Sequence, residues 1–522
     1  MQSRLIGNKW LISIPVMLAA LTAVLDASIV NVALPNMQSS FGAGVDEIDW
    51  VITGYLISNV IIIPTTGWQS SIFGLRRYFV FSQVVFVVAS LLCGLSWSLN
   101  SLIFFRILQG IGGGAILPVS LTILLEAFPP QEFAMASALY GIGATLGPAI
   151  GPTLGGWLTD TLSWPWIFFV NVPLVSLSIF FTFMFIHENR EVTAKRAGAP
   201  IDLWGLIFVA VWLGTLQVVL QEGQKDDWFQ SPFIFWMTFV SVLSFVAFIF
   251  VELTEPHPLI NIRIFKNRNF TLGSVAGAML GAALFGMLFL VPLFTGDLLH
   301  YTALQIGLLL LPAAMVSLVM FPIVGRASSF VDARILIGLG LAIFACALYL
   351  QSRVDLSVSY GELMWIQILR GASLPLMFTS IGAISLTTLK PNERADGSSL
   401  FNLTRTLGGS FGIAILATFL VNRERYHFER FGEAITQYSH VTQAQLAQIA
   451  GGFVARGGSD AVTASQQALA ALSGRLYAQA FTAGFQDASL MLGLALIATM
   501  IIIPFFKPTP RGGGAPAPAA AE

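Results

Sequence analysis

Residues 105–117 read FRILQGIGGGAIL, and residues 366–378 read IQILRGASLPLMF. Gly110 falls on Gly371 at an offset of 261 residues. The same offset carries Pro130 onto Pro391 and Glu132 onto Glu393, and Thr145, Leu146, Gly147 and Gly151 onto Thr406, Leu407, Gly408 and Gly412. One spacing that holds across two apolar stretches and the polar loop between them marks a duplicated unit. Earlier in each copy, Pro64, Gly67 and Ser70-Ser71 match Pro322, Gly325 and Ser328-Ser329 at an offset of 258. The copies therefore span about 1–186 and 261–506.

The duplicated unit is a set of membrane helices. Hydrophobic residues make up 56% of the 522 and charged residues only 10%, with a mean hydropathy of +0.78. Soluble domains carry roughly a quarter charged residues, so this mixture suits a lipid-facing surface and excludes a water-soluble one. A spanning helix needs about 20 mostly apolar residues. Fourteen stretches qualify: 11–34, 50–68, 78–98, 101–125, 134–158, 166–186, 201–221, 232–252, 271–293, 304–325, 335–350, 361–387, 397–421 and 485–506. The fold class is an all-α polytopic membrane protein. The polar start, Met1 to Trp10, has no small-residue cleavage site after it, so the first stretch reads as a retained helix. A net charge of -1 offers no basic field for nucleic acid. Cys93 and Cys346 lie in apolar runs and read as inert thiols.

Loop charge sets the orientation. With the N-terminus inside, sixteen of the 26 Lys and Arg fall in cytoplasmic segments, among them Arg4, Arg190, Lys195, Arg196 and Arg511, and short outer loops hold only Lys225 and Arg353. Both termini are then cytoplasmic, and the two copies are parallel repeats. The expected organisation is an N-terminal six-helix bundle over 1–186, a linker with two inserted helices over 187–260, a C-terminal bundle over 261–506, and a flexible tail over 507–522. The C-terminal bundle includes the outer loop 422–484, which contains Arg456. That loop reads either as short amphipathic helices over the outer mouth or as a disordered linker.

Charges inside spans are costly, about 2.5–3.5 kcal/mol each on insertion scales, and mark function. Asp26, in LDASIVNVALP (25–35), is expected to face a central cavity and to take up a proton and a cationic substrate alternately. Arg106 lies at a similar depth in the fourth span, so it either pairs with Asp26, directly or through water, or snorkels outward. Gln109, one turn further in, is a candidate cavity residue. In the second copy Arg370 and Arg405 are intramembrane cations without an acid at matching depth, and Asn402 sits one turn from Arg405. Backbone carbonyls, helix C-termini or an anionic substrate group are the available partners.

In GPAIGPTLGG (147–156), Gly147, Gly151 and Gly155 share one helix face, which allows close backbone approach. Pro148 and Pro152 are expected to bend the same helix, and Gly156 completes the motif. A bent, close-packed helix there is suited to seal one half against the other. In GWQSSIFGLRR (67–77), Gly67 and Gly74 frame a cytoplasmic turn, and Arg76 and Arg77 either bridge to neighbouring helix ends or only set topology. No GxxxxGK[ST] loop, HExxH or CxxC occurs. No cofactor is expected, and the energy source would be an ion gradient.

These motifs together resemble a known family. LDASIVNVALP, RILQG, GPAIGPTLGG and WPWIFFVNVP (164–173) are similar to the fourteen-span drug:proton antiporters of the major facilitator superfamily. DWF (227–229), ELTEPHPLINIRIFKNRNFTLG (252–273) and FNLTRTLGGSFG (401–412) resemble its EmrB-like multidrug exporters. The resemblance covers nearly the whole chain. It implies the major facilitator fold, a substrate site between the two halves, and proton-driven export of hydrophobic or amphipathic drugs from the inner membrane. It further implies partners: a periplasmic adaptor of the EmrA type and an outer-membrane channel of the TolC type. A substrate-specific transporter, such as a fatty-acid exporter or an uptake symporter, is the alternative. The chain departs from the family at Ser71, where an acidic residue is usual, which puts charge-based gating at that loop in doubt.

Overall fold

The structure, a computed structural model, describes residues 5–188, 202–256, 258–433, 435–436, 438–455 and 460–507. Arg4, Arg190, Lys195, Arg196, Arg456, Arg511 and the tail from Pro508 lie outside the described residues.

Among the described residues, fourteen helices are long and apolar enough to cross a membrane. The N-terminal half holds α1 (Lys9–Phe41), α2 (Trp50–Phe73), α3 (Leu75–Gly94), α4 (Leu99–Ala127), α5 (Phe133–Thr161) and α6 (Asn171–Phe185). Between the halves run α7 (Leu203–Glu222) and α8 (Pro232–Thr254). The C-terminal half holds α9 (Arg268–Leu293), α10 (Ala303–Ala327), α11 (Ala333–Gln351), α12 (Tyr360–Thr387), α13 (Arg394–Gly432), a non-spanning α14 (His440–Ala455) and α15 (Ala461–Thr499). Every expected span has its helix.

The duplication extends to helix starts. Ser98 opens α4 with a reciprocal capping box: its hydroxyl accepts from the Ser101 amide, and the Ser101 hydroxyl accepts from the Ser98 amide. Ser359, 261 positions on, opens α12 in the same way with Glu362. The first and last described residues, Leu5 and Lys507, lie on one face, here the terminal face. Leu5–Ile6 pairs with His187–Glu188 after α6, and Lys507 donates its amide to Asn269 at the start of α9.

Loop 422–484 differs from both expected forms. Its described residues continue the spans as helix: α13 runs to Gly432, α15 begins at Ala461, and α14 lies between them. Thirty-nine residues make about 59 Å of helix, against a hydrocarbon core of about 30 Å. Glu, Arg, Gln and Ala are good helix formers in water. The spans therefore lengthen past the point where apolar character stops.

The halves meet along α5 and α10. A Cβ on Gly307 (α10) would lie 2.7 Å from the Thr153 backbone nitrogen (α5), and one on Gly141 (α5) would lie 2.3 Å from the Phe321 ring (α10). Between helices in lipid the attraction comes from such close packing rather than from expelled water.

Candidate functional site

Asp26 is fully buried in the N-terminal half. Its Oδ2 accepts from Arg106 Nη1 at 2.8 Å. Its Oδ1 accepts from Gln109 Nε2 at 2.9 Å and from Asn171 Nδ2 at 2.6 Å. Ser90 Oγ accepts from the same two amides. Arg106, also buried, donates from Nε to the Val51 carbonyl and lies 4.2 Å from the Tyr55 ring centroid. Helices α1, α2, α3, α4 and α6 thus each give a residue to one polar cage. A salt bridge so enclosed needs hydrogen bonds on its remaining lone pairs and protons, and this one has them on Asp26 Oδ1 and on Arg106 Nε.

This geometry corrects one expectation, that Asp26 and Gln109 line a central cavity, and decides between the two alternatives for Arg106 in favour of the pair with Asp26. Asp26 and Gln109 do not face a cavity between the halves, because all their polar partners belong to the N-terminal half. Arg106 does not snorkel outward, because Asp26, the Val51 carbonyl and the aromatic face of Tyr55 satisfy it inside.

In the C-terminal half, Arg405 Nη2 donates to Asn402 Oδ1 at 2.9 Å and to the Tyr140 hydroxyl at 3.0 Å. The Tyr140 hydroxyl in turn donates to Asn402 Oδ1. Tyr140 is on α5, so this network crosses between the halves. The Arg405 guanidinium also lies 5.0 Å from the Phe378 ring centroid, and its Nη1 has no hydrogen-bond partner.

Arg370 is placed differently. Its side chain forms no hydrogen bond or ion pair with any described residue, and Nη1 is buried without a partner. It lines a cavity between the halves, formed by Thr145, Pro148 and Ala149 of α5 with residues of α9, α10, α11 and α12. Glu362 is occupied in the capping box at the start of α12, eight residues or about 12 Å from Arg370 along the helix.

The GPxxGP face packs inside its own half. A Cβ on Gly147 would lie 2.7 Å from the Leu25 nitrogen, one on Gly151 would meet Ser28, and one on Gly155 would meet Ile29. Among the motif's glycines only Gly156 turns to the other half, toward Ala303, although Pro148, Ala149 and Thr153 also reach it. Helix α5 continues through both Pro148 and Pro152. The contacts of α5 with the other half therefore lie mostly on faces other than the glycine face.

On the terminal face, Gly67 touches the other half directly: an added Cβ would fall 3.0 Å from the Asp396 Cα and 3.1 Å from its nitrogen. Beside it, the hydroxyls of Thr66 and Ser399 are 2.6 Å apart. Ser71 caps its own helix by donating to the Trp68 carbonyl. Two acids approach this segment from elsewhere: Asp396 of the opposite half at Gly67, and Glu188 of the same half, which accepts from the Leu75 amide. Gly74 has φ +87°, a left-handed conformation that glycine adopts without strain. Arg76 donates to the Phe183 carbonyl at the end of α6, whereas Arg77 is exposed.

Sequence reasoning missed Asn171, Ser90, Tyr55 and Tyr140. Asn171 had a signal, as a lone amide in an apolar span, within a motif quoted for its resemblance. Among the described residues, no cluster of three or more His, Cys, Asp or Glu could hold a metal.

Residues 16–413 match the sequence profile of the Major Facilitator Superfamily. The chain is 33% identical over 503 residues to the multidrug export protein EmrB of Haemophilus influenzae, covering 96% of each. It is 34% identical over 442 residues to EmrB of Escherichia coli K12, covering 84% of this chain and 86% of that one. It is 32% identical over 500 residues to the fatty acid resistance protein FarB of Neisseria gonorrhoeae, covering 95% and 96%. Among solved structures, the human organic anion transporter MFSD10 (TETRAN) matches with a TM-score of 0.61 at 12% identity, covering 95% of this chain and 100% of that one. That likeness is one of fold.

Proposed function

The chain belongs to the Major Facilitator Superfamily, in its EmrB-like branch, as a multi-pass inner-membrane transporter, and from that premise we propose that it exports hydrophobic or amphipathic drugs and similar toxic compounds in exchange for protons. The observation that carries the proton step is the enclosed Asp26–Arg106 pair. Protonating Asp26 removes the charge that holds Arg106 Nη1 and leaves Gln109 Oε1, 2.6 Å away, as its nearest acceptor. The cage then has two arrangements, one ionic and one neutral at Asp26. A two-state element of this kind biases a global equilibrium when each state favours a different packing of its helices.

Alternating access follows from the parallel halves, 1–186 and 261–506, rocking about the α5–α10 contact, with the terminal face in the cytoplasm. A membrane potential supplies about 2.3 kcal/mol per charge per 100 mV, enough to drive such a cycle without nucleotide. The helical extensions of α13 and α15 with α14 project from the outer face, where an adaptor of the EmrA type leading to a channel of the TolC type would dock.

The test is exchange in proteoliposomes, with a hydrophobic dye that wild-type protein moves. Asp26→Asn is expected to abolish dye-for-proton exchange while dye binding persists. Full exchange by that variant refutes the proton role.

A further inference from the structure

We propose that Arg370 is the head-group receptor of the transport cavity, and that the ligand is a hydrophobic monoanion: a carboxylate or sulfonate on an apolar body. The inference rests on the export reading above and names the substrate class of that same cavity.

The duplication shows what Arg370 lacks. Gly147 packs on Val24 and Leu25, and its repeat partner Gly408 packs on Ala278. Gly151 packs on Ser28, and its partner Gly412 packs on Ala282. These contacts set the register of α1 on α9, and Asp26 falls on Leu280. On the neighbouring helix, Arg106 falls on Gln367 and Gln109 on Arg370. Guanidinium and amide have thus exchanged places between the copies, and the carboxylate has become Leu280, which is 1% exposed. The second copy keeps the cation without its acid, and both polar atoms of the Gln367 amide lie buried without partners.

The surroundings of Arg370 offer nothing to replace that acid. The side chain is 6% exposed. The only other polar residues lining the cavity, Thr145 and Ser317, are neutral hydroxyls that donate to the carbonyls of Gly141 and Gly371, and Arg370 Nη1 bonds to neither. The remaining walls are apolar, with Leu284, Met287, Leu288 and Phe344 among them. An uncompensated buried charge is strongly unfavourable. Of the other buried arginines inside the spans, Arg106 has its carboxylate, and Arg405, which lacks one, donates to Asn402 and Tyr140; Arg370 has neither. A carboxylate or sulfonate would meet the Arg370 guanidinium with charge-assisted hydrogen bonds, and the apolar walls would take the rest of the molecule. A cationic head would be repelled there.

In this structure the cavity is small, about 40 Å³, room for a few waters at about 10–15 Å³ each. Three of its lining residues belong to α5 and the others to the C-terminal half. Separation of the halves therefore enlarges it around Arg370.

The experiment is calorimetric binding to the purified full chain in detergent, with three probes that share one ring system: 1-naphthoate, 1-naphthalenemethanol and 1-naphthylmethylammonium. 1-Naphthoate is expected to bind at least about tenfold tighter than the alcohol, the scale of one hydrogen bond to a charged group, with the ammonium weakest. Arg370→Gln should reduce 1-naphthoate to the affinity of the alcohol, and Arg370→Lys should fall between. Inorganic phosphate, an anion without an apolar body, should not displace it. Absence of 1-naphthoate binding, equal binding of the alcohol, wild-type affinity in Arg370→Gln, or displacement by phosphate would each overturn the proposal. The ranking on wild-type protein needs no variant, so misfolding of Arg370→Gln leaves the test decisive. No arm measures protons or export, so the ranking and the Asp26→Asn exchange result succeed or fail separately.

Discussion

Asp26 is held by Arg106, Gln109 and Asn171, and the pair is stable because neither charge is left alone. Arg106→Gln strands the carboxylate, and losing one partner of a buried pair costs about 3–5 kcal/mol. Its thermal midpoint should fall well below wild type, and adding Asp26→Asn to it should restore most of the loss. A double variant no more stable than Arg106→Gln would show that pairing does not hold the cage. The identities of the pair were legible in the sequence, since charges are rare inside apolar spans and these two sit at similar depth. Their direction was not. Which side of α1 meets the bundle interior depends on how α3 and α6 cover it, and that coverage comes from Ser90 and Asn171, polar residues whose types are common in helix packing.

At the scale of elements, the positions of all fourteen spans could be read because about 20 apolar residues suffice to cross the bilayer. The ends of α13 and α15 could not, because water stops an apolar run without stopping a helix. Helix α5 shows a similar division. Its glycine face was readable as a close-packing surface, but the partner was not, and that partner is α1 rather than the other half. The tight contact between halves on the terminal face is at Gly67 instead, against the Asp396 backbone. Gly67→Ala must push α2 and α13 apart. A Ser399→Cys reporter beside Thr66, in a Cys346→Ser background, should then react several-fold faster with a water-soluble maleimide than it does with Gly67 in place. An unchanged rate would show that this contact does not close the terminal face.

Across the whole molecule, the inserted pair α7–α8 spans the seam at the end opposite the terminal face. Glu222 accepts from the Thr53 hydroxyl, and Lys225 pairs with Asp49, both contacts reaching the N-terminal half. Gln217 accepts from Ser410, and the Trp228 indole donates to Thr418, both reaching the C-terminal half. The insert thus bridges one end of the seam, while Gly67 and Asp396 meet at the other. Duplication made the two halves and their parallel order readable from one offset, but the bridging by the insert has no counterpart in the repeat and so left no comparable trace. What joins these ends into one machine is the claim that a proton at Asp26 and a substrate in the cleft oppose each other. The most direct measurement is proton release from purified protein, in weakly buffered detergent solution with a pH-indicating dye, when an exported hydrophobic compound is added. Starting from solution acidic enough for Asp26 to carry its proton, the neutral arrangement of the cage, wild-type protein is predicted to release protons on binding and Asp26→Asn to release none. Equal release from both, at matched binding, would contradict the account.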